Sequence, residues 1–163
     1  NNYGPRQHLE KEIPRFITSV INNNNLTIHG DGKAKRDFCH VGDTCEAILK
    51  VVRSKVSKIY HETYNIGTGE CLSVNNIAEI VCKKTNYNKK SIEFITERPG
   101  QVGKHWCNYK KFAETFNWKP KIKFIDGIMK TYEWYKSNTE WWKDKVFEQR
   151  IRIVMPDGRV LYH

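Results

Sequence analysis

The chain has 163 residues, with 28 Lys plus Arg against 18 Asp plus Glu and a net charge of +10. A hydrophobic share of 39% with 12% aromatics excludes a disordered chain, and no apolar run is long enough to span a bilayer. No charged-then-apolar leader opens it, so a single-domain cytoplasmic protein with no membrane partner is expected.

In chain order, Tyr3-Gly4-Pro5 spells a turn, because Gly supplies positive φ and Pro presets φ near its helical value. Pro14 is tolerated in a first helical turn. Behind the turn, Ile13, Phe16, Ile17, Val20 and Ile21 repeat at helical spacing, which predicts a helix from 12 to 22 that ends at the asparagine run. Turn and helix start bracket Arg6, His8, Glu10 and Lys11, which can converge on a ligand, and a helix N-terminus favours an anion. Leu26-Thr27-Ile28 predicts a strand leading into the turn at His29-Gly30-Asp31-Gly32, and residues 36–41 a second extended piece.

Asp43 is read as the N-cap of a helix whose apolar side is Ala47, Ile48, Val51 and Val52. Thr63-Tyr64-Asn65-Ile66 reads as a strand stopped by Gly67 and Gly69. Ser73 caps a helix carrying Ile77, Ile80 and Val81, and Ile92-Glu93-Phe94-Ile95 returns as a strand. Arg98-Pro99-Gly100 breaks the chain into a loop. Asn108 then caps a helix through Phe112 and Phe116, ended by Trp118-Lys119-Pro120, and a last long helix is expected from about 125 to 142. Residues 151–158 suggest a small hairpin around Pro156-Asp157-Gly158. Strands alternating with helices make the fold class α/β.

Five cysteines without a C-x-x-C pair, Cys39, Cys45, Cys71, Cys82 and Cys107, fit reduced thiols rather than disulfides or zinc. The histidines are scattered, with no carboxylate or Cys at ligand spacing, so no metal is expected. A positive balance invites nucleic acid, a membrane surface or an anionic metabolite. Lysines spread along the chain without a nucleic-acid signature leave the anionic metabolite.

NNYGPRQHLEKEIPRFI resembles the segment that follows the catalytic Tyr-Lys pair in extended short-chain dehydrogenase/reductases, and in particular in dTDP-glucose 4,6-dehydratases. IHGDGKAKRDFCHVGD, ETYNIGTGE, ERPGQVGKHW, FNWKP and FIDGIMKTYEWY follow in family order. The resemblance covers residues 1–143 and leaves 144–163 as a tail of unassigned role. It implies the C-terminal, substrate-binding part of a Rossmann-type fold, with the N-terminal dinucleotide-binding half missing. It also implies NAD as cofactor, a nucleotide sugar as substrate, a homodimer as the full-length state and no nucleic acid as partner.

Charge-assisted, bidentate Arg contacts are what hold a diphosphate best. Arg36 and Arg98 sit beside turns rather than on a solvated helix face, and the resemblance assigns them to the diphosphate and nucleoside. It further assigns Asn2 to phosphate or sugar, Glu10 and Lys11 to the nucleoside end, Asn75 (or Asn76) to substrate, and Gln101 to the position of a frequent family His. Leu9 and Glu12 depart from the family pattern, and Glu12 brings a second carboxylate to the segment. Gly30-Asp31-Gly32 and Gly67-Thr68-Gly69 lack the third glycine of a dinucleotide loop. Tyr132 and Lys136 have the spacing of the catalytic pair but read as neighbours on one helix face. No residue is therefore assigned to catalysis, and this stretch alone is expected to bind without turnover.

Overall fold

The computed structural model describes residues 1–55, 59–88, 91–149 and 152–162. Helix α1 (Glu12–Ile21) is the axis of the core, because its stripe of Ile13, Phe16, Ile17 and Val20 is buried together with most of its other residues. The asparagine run ends it by a specific device. Asn23 takes the left-handed conformation (φ 56°), and Asn24 N–H and Asn23 N–H bond back to the Ser19 and Val20 carbonyls. That is the six-to-one and five-to-two pattern of a helix C-cap, with Asn in place of Gly. Asn86 and Asn117 end two later helices in the same left-handed conformation.

Strand β1 (Asn2–Tyr3) precedes α1, and β2 (Leu26–His29) follows it. Next come β3 (Lys35–Arg36), β4 (Cys39–His40), α2 (Val41–Val52), β5 (Leu72–Ser73), α3 (Val74–Thr85), β6 (Ile92–Ile95) and β7 (Lys104–His105). Strand β1 pairs parallel with β4, and β2 parallel with β6, Leu26 facing Ile92. Strand β3 lies between β5 (antiparallel) and β7 (parallel). Helices α4 (Lys110–Phe116), α5 (Phe124–Ser137) and α6 (Thr139–Trp142) follow. A hairpin of β8 (Arg152–Val154) and β9 (Val160–Tyr162) ends the described chain, as the Pro156-Asp157-Gly158 turn predicts; Ile151 lies outside the described residues.

The main core joins Phe16 and Ile17 of α1 to Ile28, to Ile77 and Val81 of α3, and to Ile128 and Tyr135 of α5. A smaller cluster gathers Ala47, Phe112 and Trp118. Ser73 caps α3 through a reciprocal box with Asn76, whose amide N–H donates to the Ser73 hydroxyl at 3.1 Å. Asn108 accepts from Lys110 N–H at 3.0 Å and so supports the start of α4.

Four expectations need correction. The N-cap of α2 is His40, whose Nδ1 accepts from Gly42 N–H at 3.1 Å, whereas Asp43 accepts from the Lys121 and Ile122 N–H groups at 3.1 and 2.9 Å. A distant backbone segment has claimed that carboxylate. Only Ala47 of the predicted α2 face is buried, while Ile48 and Val52 are exposed. Residues 63–66 join no strand ladder among the described residues, because Tyr64 and Ile66 pack on the smaller cluster instead. The last helix is two, divided at Asn138, where the Asn138 side chain donates to Trp134 O at 2.8 Å and Trp142 Nε1–H caps Tyr135 O at 2.8 Å. Tyr132 and Lys136 are helix-face neighbours as read, the ammonium 5.8 Å from the ring centroid.

Candidate functional site

A cavity of about 210 Å³ opens between the start of α1, the end of β2, strand β3 and the loop after β6. It is lined by Glu10, Lys11, Glu12, Arg15, His29, Arg36, Val74, Arg98 and Gln101. Pockets for whole small-molecule ligands start at roughly 300 Å³, so this cavity is smaller than a complete site of that kind.

Local sequence explains how each wall is held. Tyr135 hydroxyl donates to Gln7 O at 2.6 Å and Gln7 Nε2 donates to Asn2 O at 2.7 Å, which pins the loop ahead of α1. Lys11 and Glu10 form an exposed ion pair at the rim, and Lys11 holds the Glu10 carboxyl below its ordinary range. Strand β3 presents Arg36, whose Nη1 donates to Lys35 O at 2.8 Å. Beside it Asp37 is buried and fixes the Thr68-Gly69 turn.

The loop carrying Arg98 depends on a glycine. Gly30 has φ 63°, and a Cβ there would fall 2.0 Å from Glu97 Oε2. Glu97 Oε1 in turn accepts from Arg98 N–H at 3.0 Å, so the bare Gly30 backbone lets that carboxylate seat the Arg98 loop.

Arg15 is only 6% exposed. Its Nη2 donates to Thr27 O at 2.9 Å and its Nη1 lies 3.4 Å from His29 Nε2. His29 Nδ1 is 3.0 Å from Thr96 O, so a proton on Nδ1 leaves Nε2 to accept from Arg15. Burial pushes the Arg15 pKa down to about 10, which leaves it charged at neutral pH. Burial also lowers Arg98 and raises Glu12, against the pull of Arg15, Arg36 and Arg98 on that carboxylate. Arg15 Nε, Arg98 Nε and Glu12 Oε1 are enclosed without a hydrogen-bond partner. Buried charged groups left without partners are costly, and an incoming ligand relieves that cost.

Of the residues singled out from sequence, the cavity brings together Glu10, Lys11, Arg36, Arg98 and Gln101. Asn2 stands outside its wall and accepts from the Thr44 hydroxyl at 3.0 Å. Asn75 also stands outside, donating to Asp31 O at 3.0 Å, while its neighbour Val74 lines the cavity. Asn76 is committed to the capping box. Arg6 does not converge with Glu10 and Lys11, because its guanidinium lies 5.3 Å from the Trp134 ring centroid. Arg15, His29 and Val74 were not foreseen; a guanidinium three residues after Glu12 on an otherwise apolar helix was the available signal. No cluster of three metal-ligating side chains occurs among the described residues, and no helix among them is long and apolar enough to cross a membrane.

Comparison with known proteins gives a consistent result. Residues 1–131 match the family model described as GDP-mannose 4,6 dehydratase. The chain is 34% identical over 143 residues to a dTDP-glucose 4,6-dehydratase of Actinoplanes sp., covering 87% of this chain and 43% of that protein. It is also 34% identical over 163 residues to a trifunctional UDP-glucose 4,6-dehydratase, 3,5-epimerase and reductase of Arabidopsis thaliana, covering 98% of this chain and 24% of that one. The crystal structure of dTDP-glucose 4,6-dehydratase from Bacillus anthracis in complex with NAD superposes with a TM-score of 0.80 at 36% identity, covering 88% of this chain and 44% of that chain. The chain thus spans less than half the length of each of these relatives.

Proposed function

This chain belongs to the GDP-mannose 4,6 dehydratase family, and we propose that it forms the nucleotide-sugar-binding part of a nucleotide-sugar 4,6-dehydratase. Its fold is the C-terminal part of the extended short-chain dehydrogenase/reductase fold. The observation that carries the proposal is the cavity in which Arg15, Arg36 and Arg98 present guanidiniums from three separate elements. Arg15 and Arg98 each retain an enclosed Nε–H without a partner. Cations of this kind suit a diphosphate, each charge-assisted bond contributing roughly 1.5–3 kcal/mol. Arg36 and Arg98 hold the diphosphate, with Glu10, Lys11 and Gln101 at the rim and Asn2 and Asn75 supporting the walls from outside. The product of the full-length enzyme is a 4-keto-6-deoxy sugar nucleotide, formed by loss of water.

NAD does not fit the glycine turns present here. Gly30 faces the Glu97 carboxylate, and a Cβ at Gly67 would fall 2.7 Å from Cys107 Sγ and 2.9 Å from Asp37 Oδ2. Both turns are filled by the protein's own side chains, and neither opens a helix after a strand. The redox step is therefore assigned to the rest of the full-length protein. The full-length protein is proposed as a homodimer.

Turnover of dTDP-glucose, UDP-glucose and UDP-glucuronate by the full-length protein tests the assignment. Dehydration of a hexose nucleotide is expected, and decarboxylation as the fast reaction would sink it in favour of a decarboxylase of the same superfamily. The Arabidopsis alignment runs through the 144–163 tail, whereas that with the Actinoplanes protein covers 87% of the chain. The Arabidopsis relative, named for UDP-glucose, supports UDP-glucose as a second reading beside dTDP-glucose.

A further inference from the structure

Glu12 is the odd group in the cavity. The other carboxylate of the lining, Glu10, is paired with Lys11, but Glu12 shares the walls with three guanidiniums and yet, among the described residues, has no ion pair within 4.0 Å to Arg15, Arg36 or Arg98. Its Oε1 is enclosed without a partner. A carboxylate placed so is not a neutralising counter-ion in contact with its cations. Nor does it help hold a phosphate, since like charges in a partly desolvated site repel.

What it can do is accept a hydrogen bond. The phosphates of a nucleoside diphosphate offer essentially no donor at neutral pH, whereas the nucleoside offers two kinds: a ring N–H on bases such as uracil, and the ribose hydroxyls. Glu12 and Arg15 lie three residues apart on α1, and so share one helix face; Arg36 and Arg98 come from β3 and from the loop after β6. The α1 wall thus carries a carboxylate acceptor beside a buried cation, whereas β3 and the loop after β6 contribute Arg36, Arg98 and the neutral Gln101.

Resting on the nucleotide-site reading above, we infer that Glu12 is a specificity-determining residue of this cavity. Its carboxylate accepts a hydrogen bond from an N–H or O–H donor of the nucleoside and turns the phosphates away from the α1 wall toward Arg36 and Arg98. A site built to receive a donor rejects ligands that lack it, because its buried acceptor is then left unpaired.

Titration calorimetry on the full-length protein with UDP, 2′-deoxyUDP, CDP and inorganic pyrophosphate tests this. The unmodified protein is expected to bind UDP more than about tenfold tighter than pyrophosphate. Glu12→Leu should weaken UDP by about tenfold or more and strengthen pyrophosphate by about threefold, effects of opposite sign. Glu12→Gln keeps the shape and one acceptor oxygen, so it should gain pyrophosphate affinity while losing less for UDP. If the ribose 2′-hydroxyl is the donor, 2′-deoxyUDP binds weakly from the start and Glu12→Leu leaves it unchanged. If the base N–H is the donor, CDP behaves that way instead. Glu12→Leu shifting UDP and pyrophosphate in the same direction, or neither, would overturn the inference while leaving the nucleotide site intact. Failure of the unmodified protein to bind any of the four probes would overturn the nucleotide site and this inference with it.

Discussion

Thr68 donates to Asp37 twice, its hydroxyl reaching Oδ1 at 2.6 Å and its amide at 3.0 Å. Gly69 N–H adds a third donor at 2.9 Å to Oδ2. Asp37 is 2% exposed and 31 residues from Thr68, so one carboxylate fastens the Thr68-Gly69 turn to the strand that carries Arg36. The turn in its turn accepts from Trp106 Nε1–H through Gly69 O at 2.9 Å. Arg36 is positioned through this chain of contacts.

Removing that fastening should cost stability. Asp37→Ala leaves the three Thr68 and Gly69 donors without their acceptor, and a loss of about 2–4 kcal/mol is expected in denaturant unfolding of the full-length protein. Asp37→Asn keeps an acceptor oxygen and should lose less. An unfolding midpoint for Asp37→Ala equal to that of the unmodified protein would show that the turn is held by something else.

Arg36 itself is the direct test of the diphosphate assignment. Among the described residues its guanidinium donates to the Lys35 carbonyl alone, so its remaining donors are available to a ligand. Arg36→Ala should weaken nucleoside diphosphate binding by more than about tenfold, and Arg36→Lys should restore little, since an ammonium cannot make the bidentate contact. An unchanged affinity in calorimetry would mean the residue is misassigned.

How much of this was legible in the sequence depends on the range of the interaction that decides it. Helix α1 follows from its own stripe, the α3 cap from Ser73 and Asn76, and the last hairpin from one Pro-Asp-Gly turn. These are local signals, and the structure follows them. Asp43 is the cap that the local sequence offers, but Lys121 and Ile122, 78 and 79 residues away, take its carboxylate, and His40 caps the helix instead. The strand reading of residues 63–66 failed similarly, because packing on Phe112 and Phe116 took the place of a ladder. In the site, Arg36 and Arg98 stood out because turns flank them. Arg15 did not, because a guanidinium on a helix is normally solvated, and only the burial of nearly all of α1 forces it inward.

His40 gives the fold a pH dependence with a defined sign. Its neutral Nδ1 caps α2, and burial, with Lys130 nearby, pushes its pKa below the ordinary 6.5 despite the pull of Asp43. A group with a depressed folded pKa contributes stability that is present above 6.5 and lost as pH falls through the folded value. The Tm should therefore decline as pH is lowered below 6.5. His40→Asn keeps a capping acceptor that does not titrate. The Tyr3 ring, 5.3 Å away, loses its neighbour in that variant, so the slope rather than the absolute Tm is the readout. Equal slopes for the two proteins would remove His40 from the explanation.

Glu12 should act with the opposite sign. Burial raises its carboxyl above the ordinary 4.5, and Arg15, Arg36 and Arg98 offset only part of that. The folded state thus holds the proton more tightly than the unfolded chain. Stability from this group is fully present below pH 4.5 and is lost as pH rises through the folded value, so at neutral pH the charged carboxylate costs stability. Glu12→Gln has nothing to ionise. It should melt above the unmodified protein at pH 7.5, and the gap should narrow as pH is lowered toward 4.5. A gap of the same size at both pH values would mean that shape, not charge, separates the two side chains. The same substitution is expected to blunt discrimination between UDP and pyrophosphate. A change that steadies the empty fold while weakening selection is what a strained binding group produces, and it explains why an acidic side chain is retained on an otherwise buried helix.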